Sequence, residues 1–129
     1  MNKEIVATTH APQAIGPYSQ AVKTGLMVFT SGQIGLDPAT GELVGPDFEA
    51  QVRQSFKNLA AVAQGAGGSL ADAVKFTLFL TDLAQFAKVN AIMGEVVPQP
   101  YPARSTVGVA SLPNGALFEV EAVLVIGGR

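Results

Sequence analysis

The stretch from Leu117 to Ile126 constrains the fold more than any other. Read as a strand, it sets Phe118, Val120, Ala122, Leu124 and Ile126 on one face. Side chains alternate across a strand, so the other face carries Leu117, Val123 and Val125, interrupted by Glu119 and Glu121. A strand this apolar on both sides needs cover on both sides. The rest of the chain holds only two helical patterns, and two helices cannot cover both faces of a sheet. The cheapest cover for the second face is another copy of the chain, so a homo-oligomer is expected.

The first helical pattern spans residues 47–64, with Phe48, Val52, Phe56, Leu59 and Val62/Ala63 on one face. Pro46 or Asp47 can open it, Glu49 and Arg53 are spaced as an i,i+4 pair, and Gly65 can end it. The second spans about 83–96, capped by Asp82, with Phe86, Val89, Met93 and Val97 as its buried stripe. Between them, Ser69-Leu70-Ala71-Asp72 resembles a capping box, and Val74 to Thr81 reads as a strand.

Before the first helix, Ala21-Val22-Lys23 and Leu26 to Thr30 form a hairpin pattern about Thr24-Gly25. An early strand or loop precedes Pro17, and Asp37-Pro38-Ala39-Thr40-Gly41 is a turn signal. After the second helix, Pro98, Pro100 and Pro102 bar further helix and give an extended connection into a strand from Arg104 to Ala110. Leu112-Pro113-Asn114-Gly115 is a turn whose Asn-Gly pair is a strong hairpin signal. That hairpin would lay the Arg104 strand against the Glu119 strand. The expected order is β-β-β-α-β-α-β-β in one domain over residues 1–129, with no linker or internal repeat.

With 48% hydrophobic and 14% charged residues, the 129-residue chain lacks the composition of a disordered one. Its net charge is −2 and it has no basic run, which argues against a nucleic-acid partner. It has no cysteine, which excludes disulfides, thiol nucleophiles and Cys-ligated metals. The single histidine, His10, would have to serve any Ser-His-Asp triad or His-based metal site, and it reads as an ordinary loop residue. The N-terminus lacks a secretory pattern and no run approaches the roughly 18 apolar residues of a membrane span. A soluble cytoplasmic protein is the expectation, with no membrane partner.

Few residues remain to carry chemistry. Arg104 presents a fork that can grip a carboxylate at two points, or it is a surface arginine in an ion pair. Glu119 and Glu121 lie about 7 Å apart along one strand face. Burial would raise their pKa and suit one to proton transfer, although a solvated strip or an interface salt bridge explains them equally well. Tyr18 could close a pocket with its hydroxyl, or pack half-buried. Ser31-Gly32-Gln33 could offer backbone N–H groups to a ligand, or form a bulge. Gly65-Ala66-Gly67-Gly68 lacks dinucleotide-binding spacing and reads as a helix end and loop. An arginine and carboxylates without metal ligands suggest a small anionic substrate and acid–base chemistry.

Six segments together resemble the Rid family, the reactive intermediate deaminases of the RidA/YjgF group. They are Ala14-Ile15-Gly16-Pro17-Tyr18-Ser19-Gln20-Ala21, Thr30-Ser31-Gly32-Gln33-Ile34 and Phe86-Ala87-Lys88-Val89-Asn90, followed by Pro102-Ala103-Arg104-Ser105 and Leu112-Pro113 with Glu119-Val120-Glu121-Ala122. They occur in the family's order over nearly the whole chain. The resemblance implies a chorismate-mutase-like α+β fold, a six-stranded mixed sheet with two helices on one face. It implies a homotrimer built around a central barrel, with clefts between subunits. The implied activity is hydrolysis of small 2-imino acids, 2-iminobutanoate and 2-iminopropanoate, to 2-oxo acids and ammonia, with no cofactor and no metal.

Carried over by motif, Arg104 would hold the substrate carboxylate and Glu119 would activate water and return a proton to the amine. Tyr18 and the Ser31-Gly32 backbone would line the cleft. Thr106 stands where some members carry cysteine and Gly108 where some carry glutamate. Asn90 would support the cleft or the interface, and Glu121 would assist Glu119 or pack between subunits. The competing expectation is a non-enzymatic trimer that binds small carboxylates as a regulator or chaperone-like module. Some members are also described as translation inhibitors with ribonuclease activity, a role the acidic balance of this chain disfavours.

Overall fold

The computed structural model describes residues 2–127. Its strands are β1 (Glu4–Val6), β2 (Ala21–Thr24), β3 (Met27–Thr30), β4 (Ala73–Leu80), β5 (Ala103–Gly108) and β6 (Phe118–Val125). Its helices are α1 (Phe48–Gly65) and α2 (Phe86–Val96). The six strands form one sheet in the order β1-β2-β3-β6-β4-β5. Only β4 and β5 run parallel, so the sheet is mixed.

The sequence order of elements matches the expectation, and one pairing differs. The Asn-Gly turn does not close a hairpin. Pro113–Gly115 makes a 3-10 turn in which Asn114 (φ 59°) and Gly115 (φ 69°) both take the left-handed conformation. From the edge strand β5 the chain then crosses β4, and β6 inserts between β3 and β4. The insertion follows from burial: β6 buries Phe118, Val120, Ala122 and Leu124 on its helix-covered face, and the centre of the sheet gives it a neighbour on both sides.

One face of the sheet is closed by α1 and α2. Asp47 caps α1 by accepting from the Ala50 N–H at 2.9 Å. The expected stripe of α1 is buried throughout. Phe56 meets Phe76 of β4 and Phe118 of β6 with centroids 5.9 and 5.8 Å away, and Phe48 meets Phe118 at 6.4 Å. Gly65 is the last residue of α1 rather than its stop; Ala66 caps the helix and Gly67, at φ +96°, turns the chain. Arg53 reaches across to Glu95 of α2 at 3.1 Å instead of pairing with Glu49. The expected capping box at Ser69 and Asp72 is present, around a short 3-10 turn.

The start of α2 departs from expectation. Asp82 caps a 3-10 turn, Leu83–Gln85, and the α-helix begins at Phe86. Val89, Ile92, Met93 and Val97 are buried, whereas Phe86 is 38% exposed.

Among the described residues, no helix covers the opposite face of the sheet. Ile5, Met27, Phe29, Val107 and Val125 are exposed there, Phe29 by 44%. This is the uncovered apolar face read from Leu117 to Ile126.

Candidate active site

Glu119 sits on the helix-free face of β6, in register with Phe79 of β4. Gln33 and Val120 exchange backbone hydrogen bonds of 2.8 and 3.1 Å, which brings the residue before Gln33 alongside Glu119. That residue is Gly32, and a β-carbon there would stand 2.5 Å from Glu119 Oε2. Tyr18, Ser31, Gly32, Asn114, Glu119 and Glu121 line a cleft of about 710 Å³. Among the described residues, no basic side chain lines it. The Glu119 carboxyl is held above its ordinary value of 4.5, first by burial and then by the neighbouring charge of Glu121.

Buried polar side chains fix the cleft walls. Gln20 accepts from the Thr8 N–H at 2.7 Å and donates to the Thr8 and Pro12 carbonyls at 3.0 and 2.8 Å. Asn58 of α1 donates to the carbonyls of Ile34 and Leu36 at 3.1 and 2.8 Å. Both groups of Ser31 are engaged: its N–H donates to Gln20 O at 2.9 Å and its hydroxyl to Ser19 O at 2.6 Å. Ser31 is therefore an anchor of the Tyr18 segment, and its N–H is not the ligand donor that the sequence suggested. Tyr18 is 54% exposed at the mouth, where its hydroxyl accepts from the Ile15 N–H at 3.3 Å.

Arg104 lies elsewhere. It pairs in register with Phe76, whose side chain is buried under α1, so its own side chain points to the helix side. The guanidinium carbon is 5.0 Å from the Phe86 ring centre, and Nη1 lies 3.5 Å from Met93 Sδ. Asn90, Met93, Gly94, Tyr101, Pro102 and Arg104 enclose a pocket of about 320 Å³. The one ion pair found among the described residues is Arg53–Glu95, so Arg104 has no carboxylate partner there.

Within one chain, then, Arg104 and Glu119 do not share a cleft. They occupy opposite faces of the sheet, with β4 between their strands. The shared cleft inferred from the Asn-Gly turn fails because β5 pairs with β4 and not with β6. Thr106 is two residues beyond Arg104 on the same side of β5, and Asn90 lines the Arg104 pocket. At Gly108, a β-carbon would press Leu83 at 3.1 Å. Among the described residues, no three or more His, Cys, Asp or Glu side chains gather as a metal site would require.

Sequence reasoning missed Phe86, Met93 and Tyr101 around Arg104, and the clamps Gln20 and Asn58. Phe86 and Met93 were absorbed into an apolar stripe. Asn58 did leave a signal: Gln51, Ser55 and Asn58 recur at helical spacing beside that stripe and are buried.

The fold and these two pockets define a small cleft protein with a guanidinium that lacks a carboxylate partner on one side of a mixed sheet and a half-buried carboxylate on the other. The family model described as Endoribonuclease L-PSP matches residues 8–126. A 2-iminobutanoate/2-iminopropanoate deaminase of Dermatophagoides farinae is 44% identical, covering 96% of this chain and 97% of its own. The crystal structure of RidA from an Antarctic Psychrobacter superposes with a TM-score of 0.92 at 49% identity, covering 95% of this chain and 99% of that one. Escherichia coli TdcF with bound serine superposes at 0.88 with 45% identity, covering 97% and 100%. The chain belongs to this family, which also holds the RutC and RidA proteins.

Proposed function

We propose that the protein hydrolyses small 2-imino acids, 2-iminobutanoate and 2-iminopropanoate, to 2-oxo acids and ammonia. The observation that carries this reading is the pair of unmatched groups: a guanidinium fork without a carboxylate, and a carboxylate cleft without a cation. The exposed apolar face gives copies of the chain a surface on which to associate, and a homotrimer with clefts between subunits would bring Arg104 of one copy to Glu119 of another. The activity named for the mite relative and the serine bound to TdcF agree with a small ligand that carries a carboxylate beside nitrogen.

In this mechanism Arg104 grips the substrate carboxylate through two N–H groups and fixes the imine carbon in the cleft. Glu119, ionised, takes a proton from water as the oxygen attacks that carbon, and the C=N π bond becomes a lone pair on nitrogen. The protonated Glu119 hands its proton to the nitrogen of the carbinolamine. Glu119, ionised again, relays the hydroxyl proton to that nitrogen; the C–N bond breaks as C=O forms, and ammonia leaves. A carboxyl held above 4.5 is a stronger base toward water than an exposed glutamate, and it still yields its proton to the far more basic nitrogen of the carbinolamine.

The test is 2-oxo acid and ammonia release from 2-iminobutanoate made in place by an amino-acid oxidase, compared with the oxidase alone. Wild type should accelerate release, and Arg104→Ala and Glu119→Gln should both abolish the acceleration. A wild type no faster than background overturns the reading. A protein that binds 2-oxobutanoate through Arg104 without turnover would be the carboxylate-binding module instead.

A further inference from the structure

We propose that Phe86 is a positioning residue for Arg104: its ring backs the guanidinium and sets the plane of the fork that receives the substrate carboxylate. The proposal rests on the assignment of Arg104 to the substrate carboxylate made above. It begins from an anomaly in α2. Phe86 has the spacing of a core residue, with Val89 and Met93 following at i+3 and i+7. Those two are 0% and 5% exposed, whereas Phe86 is 38% exposed. A large aromatic ring is left partly outside the core at the first residue of the helix.

What lies over that ring is Arg104, with its guanidinium carbon 5.0 Å from the ring centre. A guanidinium is planar, and stacking on an aromatic face leaves the N–H edges free in the plane. Met93 Sδ takes one of them, Nη1, at 3.5 Å. Both partners are soft and uncharged. They orient the group without neutralising it, so the positive charge stays available to an incoming anion. An aspartate or glutamate in the same place would have fixed the fork equally well and quenched it. The start of α2 is itself set by the Asp82-capped turn, so the ring is placed by backbone and not by the ligand.

The experiment measures KM and kcat with 2-iminobutanoate, and binding of 2-oxobutanoate and its uncharged amide by calorimetry. The proteins are wild type, Phe86→Leu, Phe86→Tyr and Arg104→Ala. Phe86→Leu should raise KM and weaken 2-oxobutanoate about tenfold, with kcat within about twofold and amide binding unchanged. Phe86→Tyr, which keeps the π face, should match wild type. A Phe86→Leu protein with wild-type KM and affinity overturns the proposal, while loss of binding in Arg104→Ala would leave the role of Arg104 intact. Wild-type binding by Arg104→Ala overturns both. Should Phe86→Leu fail to fold, Phe86→Met keeps the bulk, removes the π face and carries the same expectations.

Discussion

Gly32 and Glu119 are in contact so close that position 32 has no room for a side chain: a β-carbon there would sit 2.5 Å from Oε2 and 2.6 Å from the carboxyl carbon. The obstacle is the end of a flexible side chain and not backbone, so Gly32→Ala should fold and move the carboxylate instead. A displacement near 1 Å in a reacting group costs on the order of 100-fold in rate. We expect kcat of Gly32→Ala to fall by about that factor while its thermal midpoint stays within a few degrees of wild type. A variant with wild-type kcat would remove Glu119 from the chemistry or show that the carboxylate has freedom to spare.

The proximity of Glu121 gives a pH test. Burial and the Glu121 charge both raise the Glu119 carboxyl above 4.5, so its base form appears later on the pH scale than for an exposed glutamate. Activity that needs ionised Glu119 should rise with pH through this raised value. Glu121→Gln removes one of the two causes and should move the acid limb of kcat/KM to lower pH. The stability sign is opposite in sense: the folded protein holds this proton more tightly than the unfolded chain. The resulting stability is complete below pH 4.5 and is lost as pH rises through the folded value. Relative to Glu119→Gln, wild type should therefore gain stability on acidification toward pH 4.5, read from denaturation midpoints at each pH.

Asn58 holds the loop that delivers Gly32. Its amide serves the Ile34 and Leu36 carbonyls while its own oxygen accepts from Gln54 at 2.8 Å. Asn58→Ala leaves buried carbonyls without their donor, which costs about 1–3 kcal/mol. Urea unfolding should show that loss with an unchanged m-value, and kcat should fall through the loosened loop.

Assembly through the bare face of the sheet is tested at Phe29, which pairs with Val22 and Val123 and is 44% exposed. A carboxylate buried at such a junction without a partner is strongly unfavourable. Wild type should sediment as a trimer, and Phe29→Asp should sediment as a monomer and lose turnover. A monomeric wild type, or an active monomeric Phe29→Asp, would overturn assembly as a condition of activity.

Much of this was legible in the sequence because it depends on local periodicity. The stripe from Phe48 to Ala63 placed α1, and the two-faced apolarity of Leu117–Ile126 predicted the bare face. The pairing of β5 was not legible. Asn114-Gly115 carries a hairpin signal, yet the neighbour of a strand is decided by burial across the whole sheet, which favours β6 at its centre. Phe86 was misread for a related reason. Helical spacing says which side of a helix a residue occupies, but not that an arginine from a distant strand lies over it. Glu119 was found as an oddity on an apolar strand, whereas its contact with Gly32 depends on a bridge between segments far apart in the chain.

The placement of Arg104 and Glu119 on opposite sides of one sheet has a consequence for mixtures of chains. If each working cleft draws its arginine and its glutamate from different copies, damage to either residue is a property of the neighbour as much as of the mutated chain. Arg104→Ala and Glu119→Gln assemblies, each inactive alone, would then regain turnover when dissociated and reassembled together, because some clefts receive both intact halves. Two dead proteins would make a partly living one.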